Sequence, residues 1–314
     1  MKVGLFLPLE PELRSPPQQF AAVVEIAMAA ETLGYHSVWI ASRHFSPAYA
    51  SVGSPLVLLA SVARDTSRIV LGTSVVSLPL EDPLRLAEDF ATADCLSSGR
   101  IRLGVGTGDD PPAFARLGVD YERRRETMSE RLPILIETLE GSDLHPAVTN
   151  PRGKVAMAAQ TKGGAAWAGS LGIGLLQGRS EPAVLDVDTS QRDAAVAYRA
   201  VHPKGPVVTA RNVWTGSPDD QLLAAAFARH DKYLRSRGRP GLPDDLTEAG
   251  TKLNIVFGTP TEIAERLIES MMQIGTDELL LTVDPGGLAL DKIISRIENM
   301  AEAFGLTVYN YPSH

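Results

Sequence analysis

Short runs of apolar residues alternate along this chain with longer stretches in which apolar residues recur at the period of a helix. Residues 3–7 form the first run. After it, Phe20, Val23 and Ala27 recur at the spacing of one helix face, and Gly34 ends that stretch. Such alternation is typical of parallel strands joined by crossover helices. It predicts eight strands, at residues 3–7, 37–41, 69–76, 100–105, 155–159, 173–177, 206–214 and 278–283.

Helix starts are marked by a polar capping residue followed by proline, whose missing amide suits the first helical turn. Four pairs have this form: Ser54-Pro55, Asp82-Pro83, Ser217-Pro218 and Thr259-Pro260. Later helices are predicted at about 84–97, 122–139, 163–171, 189–201, 218–237, 260–273 and 288–304. Residues 238–253 have no clear period, so we predict a long loop there, near the catalytic end of the fold.

Eight strand and helix units follow one another without a break in composition. The predicted fold class is therefore α/β, a (β/α)8 TIM barrel with insertion loops that forms a single domain over residues 1–314. A doubly wound open sheet is the alternative, although its two halves usually part at a visible linker.

Composition narrows the function classes. Of the 314 residues 44% are hydrophobic and 22% are charged, which is ordinary for a folded globular protein. The net charge of −8 and the scattered lysines and arginines argue against nucleic-acid binding. Because no signal peptide or membrane span is apparent, we expect a cytoplasmic protein. The single cysteine, Cys95, excludes an intramolecular disulfide and is predicted to be a buried core thiol. No His, Asp or Glu pair has the spacing of a metal site.

Barrel enzymes carry their active sites at the carboxyl ends of the strands. Arg43 and His44 follow the second strand, where an imidazole can act as acid, base or hydrogen-bond donor, or merely bond a loop backbone. Residues 72–76 of the third strand are consistent with a core strand containing a bulge. A glycine loop at 104–108 follows the fourth strand and precedes Asp109, which is either a proton donor or acceptor or part of a solvated turn.

The fifth strand is followed by Gln160, Thr161, Lys162, Gly163 and Gly164, which open a helix. Free amides at a helix start, together with a hydroxyl and two glycines, suit a phosphate group. An ordinary helix cap explains this stretch equally well.

At these strand endings the sequence resembles the bacterial luciferase-like superfamily of flavin- and deazaflavin-dependent oxidoreductases. The matching motifs follow in order over most of the chain, at residues 30–45, 67–75, 96–108, 169–176 and 258–262. The resemblance implies a TIM barrel with a flavin-type ring across its mouth, a bulge after the third strand, often with a non-proline cis peptide, and a homodimer. It also implies the cofactor-binding residues Ser74, Val75, Gly106, Thr107, Gly108, Gln160, Thr161, Gly163 and Gly164.

The chain departs from both branches of this superfamily. The flavin monooxygenases usually show Glu-His-His-Phe after the second strand, and the deazaflavin dehydrogenases more often show Ser-Asp-His-Phe. Here residues 42–45 are Ser-Arg-His-Phe, so Arg43 stands where a histidine or an aspartate is usual. Asp109 conservatively replaces the glutamate of the deazaflavin branch, whereas residues 77–83 and 87–90 are closer to the flavin branch.

The first functional hypothesis is a monooxygenase that uses O2 and reduced FMN from a separate reductase to oxygenate a small organic substrate. In it His44 steers protons, Arg43 stabilises developing negative charge and Asp109 orients a polar group. The alternative is hydride transfer with the deazaflavin coenzyme F-420, with His44 as base and Asp109 as acid. A third possibility, from another class, is a non-catalytic flavin-binding protein.

Overall fold

Strands and helices alternate through the part of the chain that this computed structural model describes, which comprises residues 1–8, 15–45, 52–178, 187–216, 220–236, 240–284 and 288–309. The strands are β1 (Lys2–Leu7), β2 (Ser37–Ile40), β3 (Val70–Ser77), β4 (Ile101–Gly106), β5 (Val155–Ala158), β6 (Gly174–Gln177), β7 (Val207–Thr215), β8 (Ile255–Gly258) and β9 (Glu278–Thr282). The helices are α1 (Pro16–Thr32), α2 (Pro55–Arg64), α3 (Pro83–Leu96), α4 (Pro111–Arg116), α5 (Arg124–Glu140), α6 (Lys162–Ser170), α7 (Val187–Val201), α8 (Gln221–Ser236), α9 (Leu246–Lys252), α10 (Pro260–Ile274) and α11 (Leu290–Ala303).

Eight of these strands close into a parallel barrel. Strands β1 to β6 are hydrogen-bonded neighbours in chain order, β6 pairs with β7, and β9 pairs with both β7 and β1. Because every pairing is parallel, the carboxyl ends of these strands meet at one mouth of the barrel. This closure confirms the predicted TIM barrel and rules out the doubly wound alternative.

The structure corrects the prediction for the segment 238–253. Helix α9 occupies residues Leu246–Lys252, and its first turn is capped by the Asp245 carboxylate, which accepts a hydrogen bond from the Glu248 amide at 2.8 Å. Positions 238 and 239 lie outside the described residues. The short strand β8 follows and was not predicted. Strand β8 pairs with the carboxyl-terminal part of β7, whereas β9 pairs with the part of β7 before it. The four residues of β8 are half-buried and too few to show a period.

The predicted helix starts are confirmed where the structure describes them, and Asp82 and Thr259 cap their helices, whereas the Ser54 side chain forms no capping hydrogen bond. Helices α2, α3 and α10 begin at the prolines of the predicted pairs, and a capping box joins Thr259 and Glu262. The pair at 217–218 lies outside the described residues. The turn expected after Asp109 is instead the start of α4, which Asp110 caps by accepting a hydrogen bond from the Ala113 amide at 3.4 Å.

The prediction that Cys95 is a buried core thiol is wrong, because its side chain is exposed. Helix α3 buries Leu86, Phe90 and Asp94 on one face, and Cys95 lies outside that stripe. Asp94 is buried because it forms an ion pair with Lys154 at 2.6 Å. The apolar composition of this helix therefore did not reveal which of its sides faces the barrel.

Two charged side chains hold the segment that leads into β3. The buried carboxylate of Glu31 accepts hydrogen bonds from the amides of Ser67 and Ile69, both at 2.9 Å, and from the amide between them. The guanidinium of Arg100 donates to the carbonyls of Ala63, Thr66 and Ile69 at 2.9–3.0 Å. Because the two side chains come from α1 and from the residue before β4, they join three consecutive units of the barrel.

Among the described residues, no helix combines the length and the apolar character needed to cross a membrane.

We expect Glu31→Gln to lower the free energy of unfolding by about 1.5–3 kcal/mol, because an amide cannot replace a carboxylate that accepts several backbone hydrogen bonds. Glu25→Gln is the matched control, since Glu25 lies on the exposed face of the same helix. Its effect should stay within about 0.5 kcal/mol. Chemical denaturation of both variants tests the prediction, which fails if the two are equally stable.

Candidate active site

The two charged residues that follow β2 contact two different strand endings. The Nη1 atom of Arg43 lies 2.9 Å from Oδ1 of Asp109, which follows β4. The Nε2 atom of His44 lies 3.5 Å from Oε1 of Glu81, which follows β3. Arg43 and His44 thus connect the endings of three strands at the barrel mouth.

These pairs are partly shielded from solvent. The side chains of Arg43 and His44 are 18% and 15% exposed, and those of Asp109 and Glu81 are 46% and 32% exposed. Charges interact more strongly here than at a fully hydrated surface, because the effective dielectric constant is lower. Burial raises the pKa of the Glu81 carboxyl above its usual value; Asp89 adds to this rise, whereas His44 and Arg131 oppose it.

Glu81 is the site residue that the sequence reasoning missed. It follows a short 3-10 helix, Leu78–Leu80, after β3. Arg131 of α5 holds this turn by donating hydrogen bonds to the main-chain carbonyls of Pro79, at 3.0 Å, and of Glu81, at 2.5 Å. The signal was present, because Glu81 is a charged residue soon after a barrel strand, the criterion that identified His44 and Asp109.

The predicted bulge in β3 is confirmed. The register between β3 and β4 shifts between Thr73 and Val76, and the peptide bond joining Ser74 to Val75 is cis. Packing accounts for a glycine in the facing strand, since a Cβ on Gly106 would lie 2.7 Å from Cγ2 of Val75. Position 108 also needs glycine, because its φ is +72° and a Cβ there would lie 2.9 Å from the Ser77 hydroxyl oxygen. The glycine loop thus fits against the bulge, whether or not it also approaches a ligand.

The start of α6 has the features of an anion site. Thr161 caps this helix by accepting a hydrogen bond from the Gly164 amide at 3.1 Å. The amides of Lys162 and Gly163 find no acceptor among the described residues, and the space where a Cβ of Gly163 would lie is open. The ammonium group of Lys162 instead lies 2.9 Å from a carboxylate oxygen of Asp193 on α7.

Most of the predicted site residues share one side of the mouth, because β2, β3, β4 and β5 are consecutive neighbours in the barrel. Val105 pairs with Met157, and continuing that register places Thr107 level with the end of β5. Gln160 lies against the end of β6, since a Cβ on Gly178 would be 2.6 Å from its Nε2 atom. The structure therefore joins Arg43 to Asp109 and Val75 to Gly106, while the roles of these residues in binding and catalysis stay predictions.

A comparison with known families identifies the fold more closely. Residues 1–278 match the family model described as luciferase-like monooxygenase. The chain belongs to the luciferase-like monooxygenase family. This family match supports an enzyme of the oxidoreductase class. The relatives of this chain include both monooxygenases and F420-dependent enzymes.

Two curated relatives represent these branches. The chain is 34% identical over 148 residues to 4-hydroxyprotoasukamycin monooxygenase of Streptomyces nodosus subsp. asukaensis, a match that covers 47% of this chain and 40% of that protein. It is 42% identical over 125 residues to F420-dependent glucose-6-phosphate dehydrogenase of Kineococcus radiotolerans, covering 38% of this chain and 36% of that protein. Each match thus spans less than half of the relative's own length.

The fold is similar to that of a solved monooxygenase, RslO1 from Streptomyces bottropensis. The two structures superimpose with a TM-score of 0.83 over 96% of this chain and 98% of the other, at 22% sequence identity. This likeness concerns the fold alone.

The residues at the mouth fit a flavin-type cofactor that carries a phosphate. The free amides and the open space at Gly163 suit the phosphate, and the bulge at Ser74 and Val75 lies two strands away on the same side of the mouth. Thr107 follows β4 and lies between these two features. Gln160 follows β5 and lies beside the predicted phosphate site. In the described residues, no cluster of three or more His, Cys, Asp or Glu side chains could hold a metal ion.

We expect Gly163→Asp to weaken cofactor binding about tenfold or more, because a carboxylate would face the phosphate at the helix start. This position is a cleaner test than Gly164, where a Cβ would already lie 3.2 Å from both Ala159 Cβ and the Thr161 hydroxyl oxygen. Gly163→Asn is the control of equal size without the charge. Binding titrations would contradict the assignment if the Asp and Asn variants had the same affinity.

Proposed function

We propose that this chain is a monooxygenase that uses reduced FMN and O2 to oxygenate a small organic substrate. The observation that carries the proposal is the ion pair between Arg43 and Asp109, at 2.9 Å. A carboxylate must be ionised to form this pair with a guanidinium, which stays charged at all physiological pH values.

The ion pair bears on the choice between the two branches of the family. In hydride transfer with F-420, Asp109 would have to act as the proton donor, and an ionised carboxylate has no proton to give. In the oxygenation reaction Asp109 needs only to orient Arg43 and a polar group of the substrate. The contact therefore favours the flavin branch, and the curated F420-dependent relative keeps the alternative worth testing.

The proposed roles of the site residues follow from their positions. FMN, when bound and reduced, supplies the electrons that activate O2. Residues Gly163, Gly164 and Thr161 would hold its phosphate, and Ser74 and Val75 would support its ring. His44 would accept or donate a proton at its imidazole, and Arg43 would stabilise negative charge that develops beside it. Reduced FMN would come from a separate reductase, and the protein would act as a cytoplasmic homodimer.

Binding of the two cofactors tests the proposal directly. The purified protein is titrated anaerobically with reduced FMN and, separately, with F-420. We expect saturable binding of reduced FMN, with F-420 bound at least tenfold more weakly. The opposite preference would favour the deazaflavin branch, and failure to bind either cofactor would contradict both branches and the flavin-binding alternative.

We expect His44→Asn to retain cofactor binding but to lower turnover about 10²–10⁴-fold, because asparagine can form hydrogen bonds but cannot exchange a proton near neutral pH. The variant should still consume O2 with reduced FMN, and the oxygen should appear as free hydrogen peroxide rather than in the product. Paired assays of oxygen uptake, peroxide and product measure this diversion.

His145→Asn is the control for the histidine variant, since His145 lies exposed on the loop after α5. It should behave like the wild-type protein in all three assays. If His44→Asn turned over an identified substrate at the wild-type rate, His44 would have only a structural role.

A further inference from the structure

The two ring nitrogens of His44 lie in different surroundings. Nε2 lies 3.5 Å from a carboxylate oxygen of Glu81. Nδ1 lies on the other side, 3.8 Å from the position that a Cβ on Gly53 would occupy. Gly53 itself is exposed, just before α2. One nitrogen thus faces a carboxylate, and the other lies near the loop that precedes α2.

A neighbouring carboxylate decides which nitrogen of a neutral imidazole carries the hydrogen. An ionised carboxylate is only an acceptor, so it favours the tautomer in which the nearer nitrogen is the donor. The other nitrogen then has a free lone pair and is the base. The distance of 3.5 Å is longer than an ordinary hydrogen bond, and catalytic contacts of this kind commonly shorten when a ligand closes the site.

Glu81 is held in place independently of His44. Arg131 donates hydrogen bonds to the carbonyls of Pro79 and Glu81, and the amide of Glu81 donates to the carbonyl of Leu78 at 3.1 Å. The backbone of Glu81 is therefore fixed on both sides of its Cα atom. Its carboxylate can act on the imidazole without first being ordered by it.

We propose that Glu81 is a positioning residue that keeps the hydrogen of neutral His44 on Nε2 and leaves Nδ1 as the nitrogen that exchanges protons. The proton-exchange part rests on the proposed function, whereas the choice of tautomer does not. Glu81 lies within the segment 77–83 that is closer to the flavin branch, but the resemblance implies no role for its side chain.

The test is nitrogen NMR of the histidine side chains in the full chain, which needs neither cofactor nor substrate. The signals of His44 are assigned by their loss in His44→Asn. We expect the wild-type protein to show hydrogen on Nε2. In Glu81→Ala the two tautomers should approach the mixture of a free histidine. In Glu81→Gln the Nε2 tautomer should persist, because the amide oxygen can still accept a hydrogen bond from Nε2.

Glu88→Ala is the matched control, because Glu88 is an exposed glutamate on α3 that pairs with Arg85. It should leave the His44 signals unchanged. Hydrogen on Nδ1 in the wild-type protein, or an unchanged tautomer in Glu81→Ala, would overturn the proposal. Because the readout is independent of turnover, a protein that failed to oxygenate any substrate could still confirm the tautomer.

The kinetic consequence is measured separately. In Glu81→Ala kcat should fall about tenfold or more with KM nearly unchanged, because the base nitrogen of His44 is no longer fixed. Glu81→Gln should restore most of kcat, since its amide oxygen can still accept a hydrogen bond from Nε2. Equal losses of kcat in the two variants would indicate a merely structural effect.

Discussion

The buried carboxylate of Glu31 holds the start of β3, the strand whose other end carries the bulge at the barrel mouth. It accepts hydrogen bonds from backbone amides of the segment before β3, whose carbonyls accept from Arg100. This segment lies outside regular structure and contains the buried residues Thr66 and Ile69, and unpaired backbone groups are costly away from water. Glu31 and Arg100 also lie in two of the motifs that carry the family resemblance. That resemblance therefore reflects how the fold is held together as well as how a cofactor is bound.

Strand β3 connects the segment held by Glu31 to the bulge at the barrel mouth. The strand starts at Val70, directly after the clamped segment, and reaches the bulge at Ser74 and Val75 four residues later. Val75 then packs so closely on β4 that only glycine fits at position 106. A sequence motif that suggests ligand binding thus has a packing cause as well. The glycines keep the two strand endings close enough for Arg43, after β2, to reach Asp109, after β4.

The barrel could be predicted from the sequence because short, mostly apolar runs alternate with stretches of clear helical period. Strand β8 and helix α9 escaped prediction because they are short and only partly buried, so their residues show no pattern. Cys95 was placed in the core because composition shows that α3 is amphipathic without showing which residues face inward. His44 and Asp109 were found from their positions after strands. Glu81 and the pairing of Arg43 with Asp109 were not, because a contact between two strand endings depends on side-chain geometry across the sheet.

Arg43, which stands where a histidine or an aspartate is usual in the family, changes how charge is distributed at the mouth. A histidine there could gain or lose a proton near neutral pH, whereas an arginine stays charged and holds its partner carboxylate ionised. Arg43 and Asp109 together form a fixed pair that contributes little net charge to its surroundings. His44 keeps an imidazole at this mouth, and Glu81 is the carboxylate that lies beside it. Under the proposed function, an arginine in place of the first histidine leaves proton transfer to this one imidazole, which makes the orientation of that ring more important.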